Sequence, residues 1–506
     1  MAFQNPILCG FHPDPSICRV GEDYYLAVSS FEYFPGVPLF HSKDLVNWRA
    51  IGHCLTRASQ VPLDDAPSSK GIYAPTLRFH NGIFYMATTN VSGGGNFYVW
   101  TRDIEAEWSE PIWVDQRGID PDLFFDGDGS VYFTTSSGEA TTGIVQSRID
   151  IETGKRLSEV LIIWTGTGGQ YPEAPHLYKI SGWYYLLIAE GGTEYGHMAT
   201  IARSRRPDGP FEAFSGNPIL THRSSALPIQ ATGHADFVQA QDGRWWAVFL
   251  GIRPVGYPRR HHLGRETFLA QVYWDAEGWP KIGENGRVGE TVDIEPLPSH
   301  PFPPSPARDD FDQPQLEAGW TFLRNPQSTD WSLVERAGHL TLHGSAVTLN
   351  DCGAPAFVGQ RQQHFQCICR TAMRFEPGLD GEEAGLTVFM NERFHYEIAL
   401  TRKNGRKRLI FRRCVGSLQK VEREQDWERD VVVLNLSAEP DRYTFGYAHP
   451  DRPGPPVPFG EGESSLLATE VAGGFTGVFL AMYATGAGKR SSSPAYFDWF
   501  EYLPRS

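Results

Sequence analysis

This chain contains little of three things that mark common functional classes: cysteine, positive charge and long apolar runs. Only seven of its 506 residues are cysteine, and they are scattered without a CxxC pair, which argues against a disulfide framework or a zinc site. Acidic residues outnumber basic ones by 60 to 45, for a net charge of −15, so the chain lacks the electrostatic footprint of a nucleic-acid or membrane partner. No segment is predicted to span a bilayer.

The N-terminus, MAFQNPILCGFHPDPS, has neither the basic region nor the apolar core of a secretory signal. Together with the cysteine usage, this favours a reducing cytoplasm as the location. A chain whose signal had been removed would look similar, so that alternative stays open.

Several local patterns are expected to be structural. The basic stretch TRKNGRKRLIFRRC at 401–414 contains Asn404-Gly405, a strong hairpin turn, and is predicted to be the solvated edge of a hairpin. The glycine-rich GGG at 93–95 and GTGG at 166–169 lack the Lys-Ser/Thr pair and the helix start that phosphate binding needs. His261-His262 is expected in a surface loop.

The first 290 residues contain five copies of one pattern: a turn with a small or acidic residue, an apolar strand, a glycine turn and an aromatic strand. The copies are DPSICRVGEDYYLAVSS from 14, APTLRFHNGIFYMATTN from 74, DPDLFFDGDGSVYFTTSS from 120, EAPHLYKISGWYYLLIAEGG from 173 and GHADFVQAQDGRWWAVFLGIRP from 233. Their spacing of roughly 45 to 60 residues fits one four-stranded propeller blade with its loops. We therefore predict a five-bladed β-propeller, with a β-sandwich of many hairpins as the alternative.

A change of composition at about residue 295 marks a domain boundary. The segment EPLPSHPFPPSP has six prolines between Pro296 and Pro306, which predicts a stiff, extended linker. Short alternating strands follow to the end of the chain. The predicted fold class is all-β: a propeller over 1–294, a proline-rich linker over 295–307 and a β-sandwich over 308–506.

Acids stand at the starts of the predicted blades. Asp14 and Asp120 directly precede a proline, and Glu173 lies one residue earlier relative to its own proline. His234 is aligned with Glu173, and the second blade offers Tyr73-Ala74 at this place. The two prolines beside Asp14 are expected to confine it to an extended backbone. Because the innermost strands of a propeller line its axis, we expect these side chains to converge on one pocket.

Converging carboxylates have a definite chemical use. A single Asp before Pro is usually a turn residue, but three acids at equivalent places in a repeat are harder to explain that way. Carboxylates that are buried together raise one another's pKa. Hydrolysis of a glycosidic bond needs a protonated acid for the leaving oxygen and an ionised one for the attacking water. The sequence therefore indicates a glycosidase.

The chain resembles glycoside hydrolase family 43, and most closely its two-domain β-xylosidases, which include α-L-arabinofuranosidases. The motifs that carry the resemblance are NPILCGFHPDPSI, SSFEYFPGVP, GIDPDLFFDGDG, YPEAPHLYK, GHADFV, LGRETFL and RDDFD…WTFLRNP. The resemblance covers nearly the whole chain. It implies a five-bladed propeller with a C-terminal sandwich, and hydrolysis with inversion by three acids and no required cofactor.

The resemblance also implies roles for single residues. Asp14 resembles the general base, Asp120 the residue that tunes and orients the acid, and Glu173 the general acid, with base and acid about 6.5–9.5 Å apart. The predicted sugar-binding residues around them are Phe31, Tyr73, Ala74, Thr193, His234, Arg265 and Phe475. Phe475 comes from the second domain and would close a blind pocket, which favours release of one sugar at a time.

The family pattern is broken near the pocket mouth. GIYAP places Tyr73 where Trp is usual, GHADF replaces a GHGSF-like form, and LAMYATGAGKR lacks the usual acidic loop. These changes leave the choice of sugar open, because a pocket distinguishes such isomers by only about 1–3 kcal/mol unless polar groups are left unpaired.

The leading expectation is an exo-acting, inverting β-1,4-xylosidase for short xylo-oligosaccharides. An α-L-arabinofuranosidase, or one enzyme with both activities, is the nearest rival, and a non-catalytic sugar-binding protein is a distant one. A retaining fructosidase would need an NDPNG-like motif that this sequence lacks. A calcium ion on the axis near His234, a homo-oligomer and a carbohydrate-binding role for the second domain stay open.

Overall fold

The computed structural model describes residues 2–137, 143–295, 297–449 and 454–505, and β-strands dominate all four segments. In the described residues up to Ile282, five antiparallel sheets of four main strands each follow one another along the chain. Blade 1 contains Ser16–Val20, Asp23–Ala27, Gly36–Ser42 and Arg49–Leu55, and blade 2 contains Thr76–His80, Ile83–Asn90, Gly95–Thr101 and Ile112–Trp113. Blade 3 contains Ile119–Phe125, Val131–Ser136, Ile144–Ile149 and Leu161–Trp164, and blade 4 contains Glu173–Ile180, Trp183–Glu190, Met198–Ser204 and Glu212–Ala213, with Leu220–Thr221 as an additional strand. Blade 5 contains Gln230–Gln239, Trp245–Ile252, Glu266–Trp274 and Pro280–Ile282.

The turns that join the first two strands of each blade explain why the repeat is visible in the sequence. Each contains the glycine singled out by the repeat, and the five φ angles lie between +63° and +87°. This left-handed region favours glycine, and it allows the chain to reverse tightly between two strands.

The five sheets close into a ring. The first strand of each blade contacts the first strand of the next, and Ser16–Val20 of blade 1 contacts Gln230–Gln239 of blade 5. The N-terminal strand Phe3–Gln4 pairs with Thr291–Val292 after the last blade. The side chain of Asn5 both donates to and accepts from the backbone of Leu269, each at 2.9 Å. These contacts confirm the predicted propeller.

One guanidinium connects all five blades at the axis. Arg78 of blade 2 donates to Asp122 of blade 3 and to Asp236 of blade 5, each at 2.8 Å. Its nitrogens also lie 2.9 Å from Nδ1 of His176 in blade 4 and 3.4 Å from Oγ of Ser16 in blade 1. Ser16, Asp122 and His176 directly follow the proline of their strands, and Asp236 takes the same place in blade 5, which has no proline there. Because Asp122 and Asp236 are fully buried, Arg78 supplies the countercharge that they need.

The linker crosses the edge of blade 1. The backbone N–H of His300 donates to Asp44 at 2.6 Å, and Phe302 lies under the guanidinium of Arg49 at 5.2 Å. Pro296, the first proline of the predicted linker, lies outside the described residues. The linker is therefore attached to the propeller rather than free of it.

Two antiparallel sheets form the second domain. The larger sheet contains Arg308–Asp309, Trp331–Ser332, Leu340–His343, Cys367–Phe375, Val431–Ala438, Arg442–Ala448, Val457–Glu463 and Pro494–Pro504. The smaller sheet contains Ala356–Arg361, Glu383–Asn391, Phe394–Lys403, Arg406–Val415, Leu418–Asp426 and Phe479–Thr485. Val431–Ala438 alternates strictly between buried and half-buried residues, as a strand with one covered face does. The sandwich prediction is confirmed.

The basic stretch at 401–414 forms the predicted hairpin. Phe394–Lys403 pairs with Arg406–Val415 around Asn404 and Gly405. Acids of the neighbouring strand neutralise it, as when Lys403 pairs with Glu424 at 2.8 Å.

Helix is confined, in the described part of the chain, to Ser464–Leu467, a 3₁₀ turn, and Thr469–Ala472. Within the described segments no helix has the length and apolarity to cross a membrane.

The two domains share an aromatic core. Tyr33–Phe34 of the propeller pairs with Phe322–Leu323, which leads into the sandwich. Phe11 and Tyr33 pack against Phe479 on the sandwich, with ring centroids 6.0 and 3.8 Å apart. Phe31 belongs to the same buried cluster. The sandwich thus lies directly behind one wall of the pocket.

We expect Arg78→Met to lower the free energy of unfolding by about 3–5 kcal/mol, because two buried carboxylates then lose their countercharge. Urea unfolding followed by intrinsic fluorescence measures the loss. The matched control is Arg206→Met: Arg206 pairs with Asp208 at 2.6 Å on the surface and is 69% exposed, so about 0–1 kcal/mol is expected. Equal effects of the two variants would contradict the role of Arg78.

Candidate active site

Four residues at the starts of the inner strands share an unusual backbone. Asp14, Asp120, Ala174 and His234 have φ angles of 55°, 55°, 52° and 49°, which is the left-handed region. The expectation that its prolines hold Asp14 extended is therefore wrong. The ladders of blades 3, 4 and 5 shift register at this position, as in a β-bulge. A bulge redirects a side chain, here into the pocket and not between the blades.

The bulge also corrects the alignment of the repeats. The register shift falls between Glu173 and His176 in blade 4, and between Gly233 and Asp236 in blade 5. Glu173 therefore corresponds to Gly233, and His234 corresponds to Ala174. The sequence alignment of His234 with Glu173 was off by one residue, because blade 5 has no proline at this point by which to align it.

Asp14 is buried and held as a carboxylate. It accepts hydrogen bonds from Ser29 Oγ at 2.5 Å and from Arg265 Nη1 at 2.7 Å, and His234 Nδ1 lies 3.6 Å from it. Burial alone would raise the pKa of Asp14, but Arg265 and the bond from Ser29 outweigh burial and hold the pKa below its ordinary value. An ionised, oriented carboxylate of this kind can accept a proton from water.

Asp120 and Glu173 have raised pKa values, in contrast to Asp14. The backbone N–H of Ala174 donates to Asp120 at 3.2 Å, which ties blade 3 to blade 4 beside the two carboxyls. Burial and the charges of Glu173 and Asp14 raise the pKa of Asp120 well above its ordinary value. Burial and the charge of Asp14 raise the pKa of Glu173 to about 7. The pair therefore retains a proton up to near-neutral pH and can act as an acid.

Arg265 connects the acids to the walls of the pocket. Its Nη1 also donates to Thr193 at 3.2 Å, and its Nε and Nη2 lie 3.4 Å from the carbonyl oxygen of Phe475. The guanidinium lies over the rings of Phe31 and Phe475 at 5.5 and 5.6 Å. One side chain thus joins the first blade, the fourth blade and the sandwich.

Aromatic rings form one side of the pocket. The centroid of Phe31 lies 5.3 Å from Tyr73 and 6.1 Å from Phe475. Phe475 is 37% exposed, which leaves a face free for a ligand. Ala74 is buried at the start of blade 2, and its place in the pocket stays a prediction. The structure thus brings the predicted residues Phe31, Tyr73, Thr193, His234, Arg265 and Phe475 into contact with one another or with Asp14.

The calcium ion near His234 stays a prediction, and the described residues offer few free carboxylates for it. Burial lowers the pKa of His234 to about 3, so the imidazole is neutral. Calcium prefers a shell of oxygen ligands, and the axial carboxylates of Asp122 and Asp236 are already bonded to Arg78. In the four described segments, no cluster of three or more His, Cys, Asp or Glu side chains is placed to hold a metal. We derive no chemical step through a metal.

Sequence reasoning missed two polar residues beside Asp14. Ser29 donates to it directly, and the signal was present in the quoted SSFEYFPG motif. His197 is buried and donates from Nδ1 to the carbonyl of Ala231 at 3.0 Å; burial lowers its pKa, and the charge of Asp14 opposes that shift. His197 lies four residues after Thr193 in the EGGTEYGH motif, but the motif does not reveal which way its side chain points.

The loops set aside in the sequence have structural roles. The GTGG loop binds an internal carboxylate: the N–H groups of Thr167 and Gly169 each donate to Glu190 at 2.9 Å. This loop leads into Glu173. His261 and His262 are buried, contrary to the surface loop that was expected, because the sandwich covers them.

A propeller with two buried acids, a third half-buried acid and an arginine at the mouth of its axis belongs to the class of carbohydrate-cleaving β-propellers. Residues 3–280 match the family described as Glycosyl hydrolases family 43, and residues 308–503 match the Beta xylosidase C-terminal Concanavalin A-like domain. The chain therefore belongs to glycosyl hydrolase family 43.

Full-length relatives carry two kinds of name. The Non-reducing end alpha-L-arabinofuranosidase BoGH43B of Bacteroides ovatus is 44% identical over 99% of this chain and 94% of its own length. The Xylosidase/arabinosidase of Butyrivibrio fibrisolvens is 37% identical over 98% of both chains. The solved structure described as Bacteroides ovatus Xyloglucan PUL GH43B superimposes with a TM-score of 0.96 at 43% identity and covers both chains fully.

Removing the hydroxyl that faces Asp14 should change the acid side of the pH profile. Ser29→Ala deletes a bond to a charged acceptor, which contributes about 1.5–3 kcal/mol, so we expect the acid limb of kcat/KM to move up by about 1–2 pH units. The assay is hydrolysis of an aryl pentoside between pH 3 and 9.

Ser30→Ala is the matched control, because Ser30 is also buried but its Oγ accepts from the backbone of Val37 at 3.1 Å. We expect its profile to overlay that of the native protein. An unmoved acid limb in Ser29→Ala would refute the role of Ser29.

Proposed function

We propose that this protein is an exo-acting, inverting glycosidase that removes single terminal pentoses from oligosaccharides. The observation that carries the proposal is the contrast between the surroundings of these acids: Arg265 and Ser29 bond to Asp14 and lower its pKa, whereas burial and the neighbouring acids raise the pKa of Asp120 and Glu173. An inverting hydrolase needs this pairing of base and acid.

In the proposed mechanism Asp14 accepts a proton from water as the water oxygen bonds to the anomeric carbon. The bond from that carbon to the leaving oxygen breaks, and Glu173 gives its proton to that oxygen. Burial and the charge of Asp14 keep the pKa of Glu173 high, and Asp120 is held next to Glu173 by the N–H of Ala174. Arg265 holds Asp14 in place, and its remaining donors are available to sugar hydroxyls.

The exo mode is supported by the position of Phe475. The sandwich brings this ring over Phe31 and against Arg265, so one side of the pocket ends in a wall from the second domain. A pocket with such an end accepts the terminal sugar of a chain and has no room to extend beyond it.

The first candidate for the sugar is a terminal α-L-arabinofuranosyl group. The support is the relative at 44% identity, which is named for this activity at the non-reducing end. Here the order differs from the expectation drawn from the sequence, which placed xylosides first. Tyr73 stands where the family motif usually has Trp, and its hydroxyl donates to the carbonyl of Ser69 at 3.4 Å.

The second candidate is a terminal β-D-xylosyl group. It is favoured by the C-terminal domain, which matches a β-xylosidase type, and by the relative whose name carries both activities. An enzyme with both activities fits the same observations.

The decisive experiment compares aryl α-L-arabinofuranoside, aryl β-D-xylopyranoside and xylobiose as substrates. Proton NMR at early times gives the anomer released, and we expect inversion. Dominant turnover of the arabinofuranoside supports the first candidate, dominant turnover of the xylosides supports the second, and turnover of none contradicts the proposal.

Glu173→Ala should lower kcat on xylobiose or a natural arabinoside by about 10²–10⁴-fold, the usual contribution of a general acid. The loss on aryl glycosides should be smaller, because an activated leaving group needs less protonation. The matched control is Glu194→Ala, an exposed acid on the next loop, for which near-native rates are expected. Equal losses on both kinds of substrate would argue against Glu173 as the acid.

The native pH profile should be flat from about pH 4 to pH 6 and fall to half near pH 7 on the alkaline side. The sign follows from the two states: Glu173 must be protonated, and its pKa of about 7 means that it loses the proton above neutrality. Asp14 must be ionised, and its lowered pKa keeps it so in mild acid. The measurement is kcat/KM against pH, and an alkaline limb near pH 5 would contradict the raised pKa.

A further inference from the structure

The sandwich sends one segment to the pocket. We call residues 464–478 the arm: it contains Ser464–Leu467, Thr469–Ala472 and the glycine-rich turn with Phe475. At its tip, the carbonyl oxygen of Phe475 faces Arg265, and the N–H of Phe475 donates to Ser69 Oγ at 2.8 Å. The arm thus starts in the sandwich and reaches the active site at Phe475.

Glu470 fastens the middle of the arm outside the pocket. Its carboxylate accepts from the backbone N–H of His261 at 2.9 Å, lies 2.8 Å from Nδ1 of His261, and accepts from the hydroxyl of Tyr195 at 3.0 Å. Burial would raise the pKa of Glu470, but the bonds and charge of His261 lower it to about 2. The carboxylate is therefore ionised at any pH used for assay.

Each partner of Glu470 lies on a loop that also carries a pocket residue. His261 precedes Arg265 by four residues, and Tyr195 follows Thr193 by two. Inside the pocket the same three segments meet again, because Arg265 bonds to Thr193 and to Phe475. The three segments are thus joined at two points, once through Arg265 and once through Glu470.

The backbone between these two points is closely packed. The N–H groups of Thr469 and Val478 donate to the carbonyls of His261 and His262 at 3.1 and 2.9 Å. A Cβ on Gly264, whose φ is +85°, would lie only 2.9 Å from the Cα of Gly477. A displacement of the arm near Glu470 would therefore be transmitted to the segment of Arg265.

We infer that Glu470 is a positioning residue of the active site, which sets where Phe475, Arg265 and Thr193 stand relative to one another. It touches neither the acids nor the space for the sugar. The inference rests on the proposed function, since it concerns how the same pocket holds its terminal sugar.

The test uses the full-length protein and whichever aryl pentoside the native protein hydrolyses. Glu470→Ala removes all three bonds, and we expect KM to rise about fivefold or more, with a smaller fall in kcat because Arg265 also bonds to the base Asp14. The reason is that Phe475 and Thr193 contact the sugar equally before and during reaction. Glu470→Gln can still accept and donate at these places, and its KM should lie close to native.

Two measurements separate positioning from mere stability. The double variant Glu470→Ala/Phe475→Ala should raise KM no more than Phe475→Ala alone, because residues that act through one another are not additive. Glu382→Ala is the matched control: Glu382 accepts from Ser492 N at 2.6 Å and Gly378 N at 2.6 Å in the sandwich, away from the arm. It should lower the melting temperature and leave KM unchanged.

A KM of Glu470→Ala within twofold of native, additive effects with Phe475→Ala, or equal damage by Gln and Ala would each overturn the inference. If Glu470→Ala does not fold, Tyr195→Phe removes one of the three bonds, and a KM rise of about twofold or more is expected, with no rise counting against the inference. Because every comparison starts from an active native protein, a native protein inactive on pentosides refutes the proposed function instead.

Discussion

The propeller depends on a single charge at its centre. Five β-sheets arranged around an axis bring the polar side chains of their inner strands together where water is excluded. Arg78 bonds to a residue of each of the four other blades, and it is the countercharge of Asp122 and Asp236. Hydrogen bonds of this kind are strengthened by the low dielectric, and they are costly to leave incomplete. Arg78 thereby fixes the relative positions of the inner strands, which carry the catalytic groups at their starts.

The charged groups around Asp14 explain how the site keeps one acid ionised and another protonated. Asp14, Asp120 and Glu173 share one buried space, and Arg265 is the guanidinium bonded there to Asp14. Arg265 and Ser29 lower the pKa of Asp14, whereas burial and the neighbouring acids raise the pKa of Asp120 and Glu173. The difference between base and acid therefore does not come from residue type, since Asp14 and Asp120 have the same side chain and the same left-handed backbone. It comes from which of them Arg265 reaches.

The second domain contributes to the position of Arg265. The carbonyl of Phe475 and the ring of Phe475 both contact Arg265, so the sandwich helps to determine where the guanidinium lies. The interface between the domains combines a buried aromatic cluster with hydrogen bonds, such as that from the backbone of His261 to Glu470. Discrimination between sugars is expected at the aromatic wall of the pocket, which is built from Phe31 and Tyr73 of the propeller and Phe475 of the sandwich.

The repeat, the glycine turns and the proline-rich segment determined the five blades, the linker and the all-β second domain, because strand periodicity and turn chemistry are local and can be read along a chain. The same repeat located Asp14, Asp120 and Glu173. The sequence could not show that Asp14 adopts a left-handed φ, that His234 belongs one position later in the repeat, or that His261 and His262 are buried. These depend on a bulge in a ladder and on a domain that covers a loop, which involve residues distant along the chain. The protonation states were decided by the tertiary structure alone, because the pKa of a carboxyl depends on which distant charges and hydroxyls the fold places beside it.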